Sequence, residues 1–344
     1  MRTQGPADGP TRSAGIREVA REARVSIGTV SNVLNHPDRV LKETRLRVEK
    51  AMKDLGFVRS RAAGQLRSRR SALVGVIVPD VGNPYWATVI RGIETVLDDA
   101  GLALIVGSTH QNPARQTRLL RDFESQGVDG LIVAPINGKS EWASFTNRRF
   151  GVVSLERRTR ESSTSWVSLN NVAGARLAVT HLLERGHRRI AFVNGPLRVS
   201  WCAERHRGVR EGLEGFGLDP DDALVELTVE DLTVVEGSEV AERLMLIDPK
   251  VSAVMCANDL LALGVNLGLR RSGLSIPRDI ALVGYDDVDF AAALAPPLTT
   301  VRQPAFDVGR AAATLLLKGG SRSRGEHVEF MPELVVRDSS SVAR

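Results

Sequence analysis

The residues best suited to chemistry sit just beyond apolar runs in the last three-quarters of the chain. After VGVIVP come Asp80, Asn83, Tyr85 and Trp86. Pro135 and Asn137 follow GLIVA, and Arg198, Trp201 and Arg205 follow IAFVNGP. Asn258 and Asp259 close AVMCAND, and GYDD supplies Asp286 and Asp287. Aromatic rings stack on a flat ligand while Asn, Asp and Arg hold hydroxyls or polar edges. The set therefore suits a small polar ring, either a sugar or a base. Catalysis is a poor fit. The first run lacks G-x-G-x-x-G, and no phosphate-binding loop is visible. Six histidines are scattered, with no pair at the spacing of a helical metal site. An acid and a base must face a substrate from separate positions. The adjacent carboxylates of GYDD read instead as a hydrogen-bond acceptor, Asp286, and a capping or loop residue, Asp287. Cys256, within a strand-like run, reads as a small buried hydrophobe. No enzyme activity, cofactor or metal is expected.

The elements that must position these residues alternate between strand and helix. ALVGVIVP (72–79), LALIVGST (102–109), GLIVAP (130–135) and FGVVSLE (150–156) read as buried strands, with helices at 84–99 and 113–126 between them. The alternation then restarts. Helices at 171–185, 203–215, 237–247 and 259–271 separate RRIAFVNGP, LVELTVE, AVMCAND and IALVGYDD. A helix near 305–318 and the strand PELVVRD complete the set. Two βα runs give two mostly parallel sheets. Ligands of such sheets lie beyond the carboxyl ends of the strands, where the residues above fall.

The first seventy residues differ in charge. They hold 16 Lys and Arg against 7 Asp and Glu, whereas the whole chain of 344 residues holds 46 against 41. A basic head on a mildly acidic body points to a polyanion-binding module, and the helical pattern of the head favours nucleic acid. Ile16, Val19, Ala20 and Ala23 recur at helical spacing. Ser26 is placed to cap a second short helix, in which Val30 and Leu34 face inward and Ile27, Gly28, Ser31 and Asn32 face out. A third helix, about 42–54, draws its apolar side from Val40, Leu46, Val48, Ala51, Met52 and Leu55, and Gly56 stops it. Two short helices on a tight turn, buttressed by a third, form a helix-turn-helix. The second helix then enters the major groove, with Ile27 against a thymine methyl, Asn32 paired to adenine, and Thr29 and Ser31 on phosphates. The blander alternative is a polar helix on an ordinary three-helix cap. SRAAGQLRSRR (60–70) is a short arginine-rich helix with Arg61, Ala63 and Leu66 along it. It reads either as a charged linker or as a segment that folds on DNA, with Leu66 as a minor-groove wedge.

The motifs REVAREARVSIGTVSNVLN, VLKETRLRVEKAMKDLGF, VGVIVPDVGNPYW, GVDGLIVAP, HLLERGHRRIAFVNGP, AVMCANDLLALG and ALVGYDDVDFAAALAPPLTTVRQP occur in that order. Over about 15–340 the chain resembles the lactose-repressor (LacI/GalR) family of bacterial transcription regulators. The resemblance implies an α plus α/β chain. An N-terminal helix-turn-helix head and hinge helix precede a two-lobed core like a type I periplasmic binding protein, with parallel sheets. The organisation expected is a disordered leader (1–14), a DNA-binding head (15–59), a hinge helix and linker (60–71) and an effector-binding and dimerisation core (72–339). Lobe 1 spans about 72–168 and 303–330, and lobe 2 about 169–302 and 331–339. The implied DNA-facing set is Ser26, Ile27, Gly28, Thr29, Ser31, Asn32 and Asn35, with Arg61, Ala63 and the wedge Leu66 from the hinge. The implied effector set is Asp80, Asn83, Tyr85, Trp86, Asn137, Arg198, Trp201, Arg205, Asn258 and Asp286. Arg205 matches a position that sugar-responsive members use to grip hydroxyls, which tilts the effector towards a sugar.

Three positions depart from the family pattern. Arg24 stands where the turn usually has Gly, Arg59-Ser60 replaces Pro-Asn, and Gly64 stands where many members have Arg. The expected partners are near-palindromic operator DNA, a small sugar-like effector and a second copy of the chain. The ending DSSSVAR carries no leucine-heptad tail, so a dimer rather than a tetramer is expected. No apolar leader or membrane-length run is seen and two distant cysteines make no disulfide framework, so a cytoplasmic location is expected. Three other classes compete: a sugar-binding protein without DNA function, an enzyme of the doubly wound class, and a regulator controlled by a partner protein.

Overall fold

The computed structural model describes residues 14–57, 71–136, 150–155, 164–247, 250–319 and 325–341. Arg59, Ser60, Arg61, Ala63, Gly64, Leu66 and Asn137 lie outside the described residues. The chain divides into two compact units, Met1–Ser71 and Ala72–Arg344.

In the first unit, helices α1 (Ile16–Glu22), α2 (Ile27–Asn35) and α3 (Lys42–Asp54) enclose a small core. Val19, Val30 and Val48 are fully buried in it, and Ala20, Ala23, Val33 and Ala51 close around them. The Glu18 carboxylate accepts the Gly15 backbone N–H and anchors the start of α1. Ser26 caps α2 as its spacing predicts, accepting the Thr29 N–H at 3.0 Å. Gly56, at φ 58°, turns the chain after α3, and the Phe57 N–H closes on the Met52 carbonyl at 2.8 Å. Leu46 was expected on the apolar side of α3 but is 53% exposed. It lies two residues from the buried Val48, and two helical positions are separated by roughly half a turn. On α2, Val33 is buried and Leu34 is only half-buried.

Two positions weaken this unit. Arg24 holds φ 51°, a left-handed conformation that costs a side-chain-bearing residue about 1–2 kcal/mol. Leu41 occupies the N-cap of α3 with no side-chain hydrogen bond to offer and is 81% exposed. Arg24→Gly is expected to stabilise the head by roughly 0.5–1 kcal/mol, because relief of strain exceeds the added freedom of the unfolded chain. Leu41→Ser is expected to add about 1 kcal/mol through a new cap. Hydrogen exchange of the α1–α3 amides in the full-length protein checks both, and protection should rise in each variant.

The second unit contains two six-stranded sheets. The first runs β11-β5-β4-β3-β1-β2, from β1 (Leu73–Val78), β2 (Ala103–Ser108), β3 (Gly130–Val133), β4 (Gly151–Ser154), β5 (Ser165–Leu169) and β11 (His327–Phe330). Every pairing in it is parallel. Helices α4 (Pro84–Asp99) and α11 (Ala305–Leu317) pack together on one face, and α5 (Pro113–Ser125) puts Leu120 and Phe123 on the other. A Cβ on Gly92 would come 2.1 Å from the Phe306 carbonyl oxygen, so α4 and α11 touch backbone to backbone.

The second sheet runs β12-β10-β9-β8-β6-β7, from β6 (Ile190–Asn194), β7 (Leu224–Thr228), β8 (Ala253–Cys256), β9 (Ala281–Asp286), β10 (Thr299–Arg302) and β12 (Glu333–Val335). Only the β10–β12 pair is antiparallel among its described pairings. Helices α6 (Asn171–Glu184) and α7 (Ser200–Gly215) pair, as do α9 (Val234–Met245) and α10 (Asp259–Arg271), with the single turn α8 (Pro220–Ala223) leading into β7. The chain therefore passes between the two sheets three times, after Leu169, after Arg302 and after Phe330. The strands β5, β10 and β11 were not foreseen from the sequence. SWVSL is half polar, and TTVR and HVEF are four residues each, too short for a periodic signal. Among the described residues no helix is long and apolar enough to cross a membrane, and no metal-binding group of His, Cys, Asp and Glu side chains forms.

Candidate functional site

Two surfaces carry the candidate chemistry. In the head, the outer side of α2 presents Ile27, 47% exposed, with Gly28 and Asn32 also exposed. The other polar groups are partly engaged. The Ser26 and Thr29 hydroxyls meet at 2.9 Å, and the Asn35 amide donates to the Ser31 carbonyl at 2.8 Å. The Asn32 side chain makes no hydrogen bond among the described residues. Its amide offers one donor and one acceptor side by side, which is the pattern that matches adenine.

The second surface is a cleft between the two sheets of the core, whose empty space, open solvent included, is about 670 Å³. Lobe 1 supplies its aromatic wall. Asn83 caps α4 by accepting the Tyr85 N–H at 2.9 Å, and Pro84 fixes the first turn. This sets Tyr85 and Trp86 edge to face, with ring centroids 5.0 Å apart. Lobe 2 supplies the polar wall. Helix α7 brings Trp201, Glu204 and Arg205 to one face at helical spacing, and all three line the cavity. Arg205 is 5% exposed. Its guanidinium lies 3.7 Å above the Tyr285 ring and 5.0 Å from Trp201. Its Nε donates to Asn171 Oδ1 at 3.1 Å, and Nη1 donates to the Ala257 carbonyl.

Asp286 ends β9 at φ 122° with its carboxylate buried in the cavity lining. Burial pushes its pKa up to about 6, against the pull of Arg205 and hydrogen bonds from Gln303 and Asn83. Behind it, Asp259 is buried and its pKa is raised well above the carboxylate range, by burial and then by the Asp286 charge. Asp259 accepts from Thr300 Oγ1 at 2.6 Å and from the Val288 N–H at 3.0 Å. Asp287, read from sequence as a capping or loop residue, follows β9 in a loop, where Arg302 and Arg337 clasp it, each at 2.6 Å.

Of the sequence-derived effector set, the structure brings Asn83, Tyr85, Trp86, Trp201, Arg205, Asn258 and Asp286 to the cavity. Two members stand apart. Asp80 is turned back onto the Gly82 N–H at 2.8 Å, and Arg198 pairs with Glu230 at 2.8 Å on the surface. Asn258 contributes shape more than free polar groups. Its oxygen caps α10 through the Leu261 N–H, and its nitrogen donates to the Leu232 carbonyl. Sequence reasoning missed Ser168, Asn171, Glu204 and Gln303, all of which line the cavity. Ser168 and Gln303 belong to or follow strands that were not foreseen. Glu204 was findable from the i, i+3 spacing to Trp201.

The geometry agrees with the comparisons. Residues 15–60 match the family described as bacterial regulatory proteins, lacI family. Residues 179–340 match the periplasmic binding protein-like domain. The transcriptional repressor CytR of Escherichia coli (strain K12) is 31% identical over 335 residues, covering 95% of this chain and 96% of the relative. The ribose operon repressor of Halalkalibacterium halodurans is 30% identical, covering 94% of this chain and 96% of the relative. Among solved structures, the lac repressor dimer bound to operator and an anti-inducer aligns with a TM-score of 0.82 at 26% identity, covering 96% of this chain and all of that one. A basic helix-turn-helix head, a two-lobed core with a lined cavity and these relatives lead to one assignment: the chain belongs to the LacI family and is a ligand-responsive, DNA-binding transcriptional regulator, not an enzyme.

Proposed function

We propose that the chain is a cytoplasmic repressor that binds a near-palindromic operator as a homodimer and is released when a sugar or sugar derivative fills the cavity. The observation that carries the effector class is the arrangement of Arg205 and Asp286 beside the rings of Tyr85, Trp86 and Trp201. A fixed cation donates to hydroxyls and a buried carboxylate accepts from them, while aromatic faces cover the C–H surface of a sugar ring. The ribose operon repressor relative bears a sugar in its name, which supports the same class. On the DNA side, Ile27, Gly28 and Asn32 read bases, with Ser26, Thr29, Ser31 and Asn35 around the backbone. Residues 60–71 form the hinge, with Arg61, Ala63 and Leu66 at the minor groove. One head offers too few base contacts for selectivity, since each good pair is worth only ~1–3 kcal/mol. Two heads in a symmetric dimer supply the remainder. Ligand binding shifts the angle between the lobes and so the spacing of the two hinge segments.

A thermal-shift screen of sugars, sugar phosphates, polyols and nucleobases against full-length protein tests the effector class, because a ligand bound only by the folded state raises the melting temperature. Sugar stabilisation lost in Arg205→Ala and Asp286→Ala is the expected result. Stabilisation by nucleobases alone contradicts the sugar assignment.

The raised pKa of Asp286 adds a pH dependence. A hydroxyl donated to this group favours its ionised form, so sugar binding should tighten as pH rises from about 5 to 7, by up to roughly tenfold per unit below the pKa. The protein itself should behave oppositely. Asp286 binds its proton more tightly folded than unfolded, so its contribution to stability is greatest below about pH 4 and is lost as pH rises through about 6. Calorimetric titration at several pH values checks the first trend. Affinity that falls over this range would remove Asp286 as an acceptor.

A further inference from the structure

Two buried polar atoms of the cavity lining, Ser168 Oγ and Gln303 Oε1, have no hydrogen-bond partner among the described residues. Each residue is at least nine-tenths buried. Leaving such an atom unpaired costs ~1–3 kcal/mol, so both point to something that completes them. Both also sit where the chain passes between the sheets. Ser168 lies just before the first passage, and Gln303 is the first residue of the second. The Gln303 N–H donates to the Asp286 carbonyl at 3.4 Å, and its side-chain Nε2 donates to Asp286 Oδ1. A carboxylate only accepts, so the amide must turn its nitrogen towards Asp286 and leave Oε1 as an open acceptor. The other passages join the same cluster. Arg302 spans from Asp287 to Glu333, the Asn170 N–H meets the Phe330 carbonyl at 3.0 Å, and Asn171 Oδ1 holds Arg205.

We propose that Gln303 is a positioning residue that ties the ligand-binding carboxylate to the interlobe passage. Without ligand, its bond to Asp286 latches the passage. A ligand that takes over Asp286 and donates to Oε1 is felt directly by the segment that sets the lobe angle. The matching ligand presents two neighbouring hydrogen-bond donors, as a vicinal diol does. This rests on the cavity being the effector site, but the latch acts without ligand, so its test is independent of which effector binds.

The test is hydrogen exchange of the full-length, ligand-free protein, comparing Gln303→Leu, Gln303→Glu and Gln303→Asn with wild type. Asp286 is faced by Arg205 from α7, Tyr85 from α4, Asp259 from α10 and the adjacent Tyr285 and Asp287. Gln303→Leu should speed exchange in segments 299–306 and 328–335 about tenfold, with the strand cores 190–195 and 253–258 unchanged. Gln303→Glu should do the same near pH 7.5, where two carboxylates repel. After correction for intrinsic rates it should return to wild-type protection near pH 5, where they share a proton. Gln303→Asn, which keeps the amide one methylene short, gives the same reading as Gln303→Leu should that variant fold poorly. Unchanged exchange at the passages, an equal rise throughout the core, or a Gln303→Glu variant with no return at low pH would overturn the proposal.

Discussion

Arg205→Ala is expected to weaken binding of any sugar that stabilises the wild-type protein by about 30-fold or more, while leaving DNA binding in place. Truncating one partner of a buried, hydrogen-bonded charge pair costs roughly 2–5 kcal/mol. Arg205 is the cationic half of such a pair, although it acts on Asp286 through space and its hydrogen bonds go to other groups. It is 5% exposed, bonded to Asn171 and Ala257, held against Tyr285, and the main opposing charge on Asp286. The loss has two sources. One is the missing donor to the ligand. The other is the Asp286 carboxylate, which without its cation shifts further towards its protonated, weaker-accepting form. Arg205→Lys should also bind poorly, because an ammonium cannot present the planar fork or the stacked face that Tyr285 and Trp201 receive. Isothermal titration calorimetry measures the change. An affinity within threefold of wild type would show that the sugar is held elsewhere.

Deleting the chain before Ala72 should abolish specific DNA binding and keep ligand-induced thermal stabilisation. The core buries its own two sheets and the head its own three-helix core. Specific sites are typically bound about 10³–10⁷ times more tightly than random DNA, and all of that selectivity is assigned to the removed residues. Within the intact protein, Asn32→Ala should cost about 1–3 kcal/mol on the preferred site and less on random DNA. Fluorescence anisotropy at fixed salt reads both. A truncated core that still discriminates between sequences would overturn the assignment of α2 as the reading helix.

Much of this was legible in the residues. The βα alternation placed the helices at 84–99, 113–126, 171–185 and 259–271 within about a residue of their observed bounds, whereas α7 and α9 start three residues earlier than expected, at Ser200 and Val234. The cavity was visible because aromatic and polar residues cluster beyond apolar runs. What stayed hidden follows from tertiary context. Strands β5, β10 and β11 are short or partly polar, yet Ser165, Ser168, Thr299 and Thr300 are buried because the neighbouring strands and helices cover them. With those strands went Ser168 and Gln303. Asp80 and Arg198 carry the right chemistry in the right loops, but each is satisfied locally, by Gly82 and by Glu230. The left-handed turn at Arg24 was anticipated from the motif. The uncapped start of α3 at Leu41 was not.

The most direct test is an anisotropy titration of full-length protein on an operator selected from random DNA, repeated with a saturating sugar taken from the thermal-shift screen. A fall in operator affinity of at least about tenfold, absent in Arg205→Ala, is the expected result for a repressor released by its ligand. Operator binding that tightens with the sugar, or does not respond to it, would contradict that mechanism.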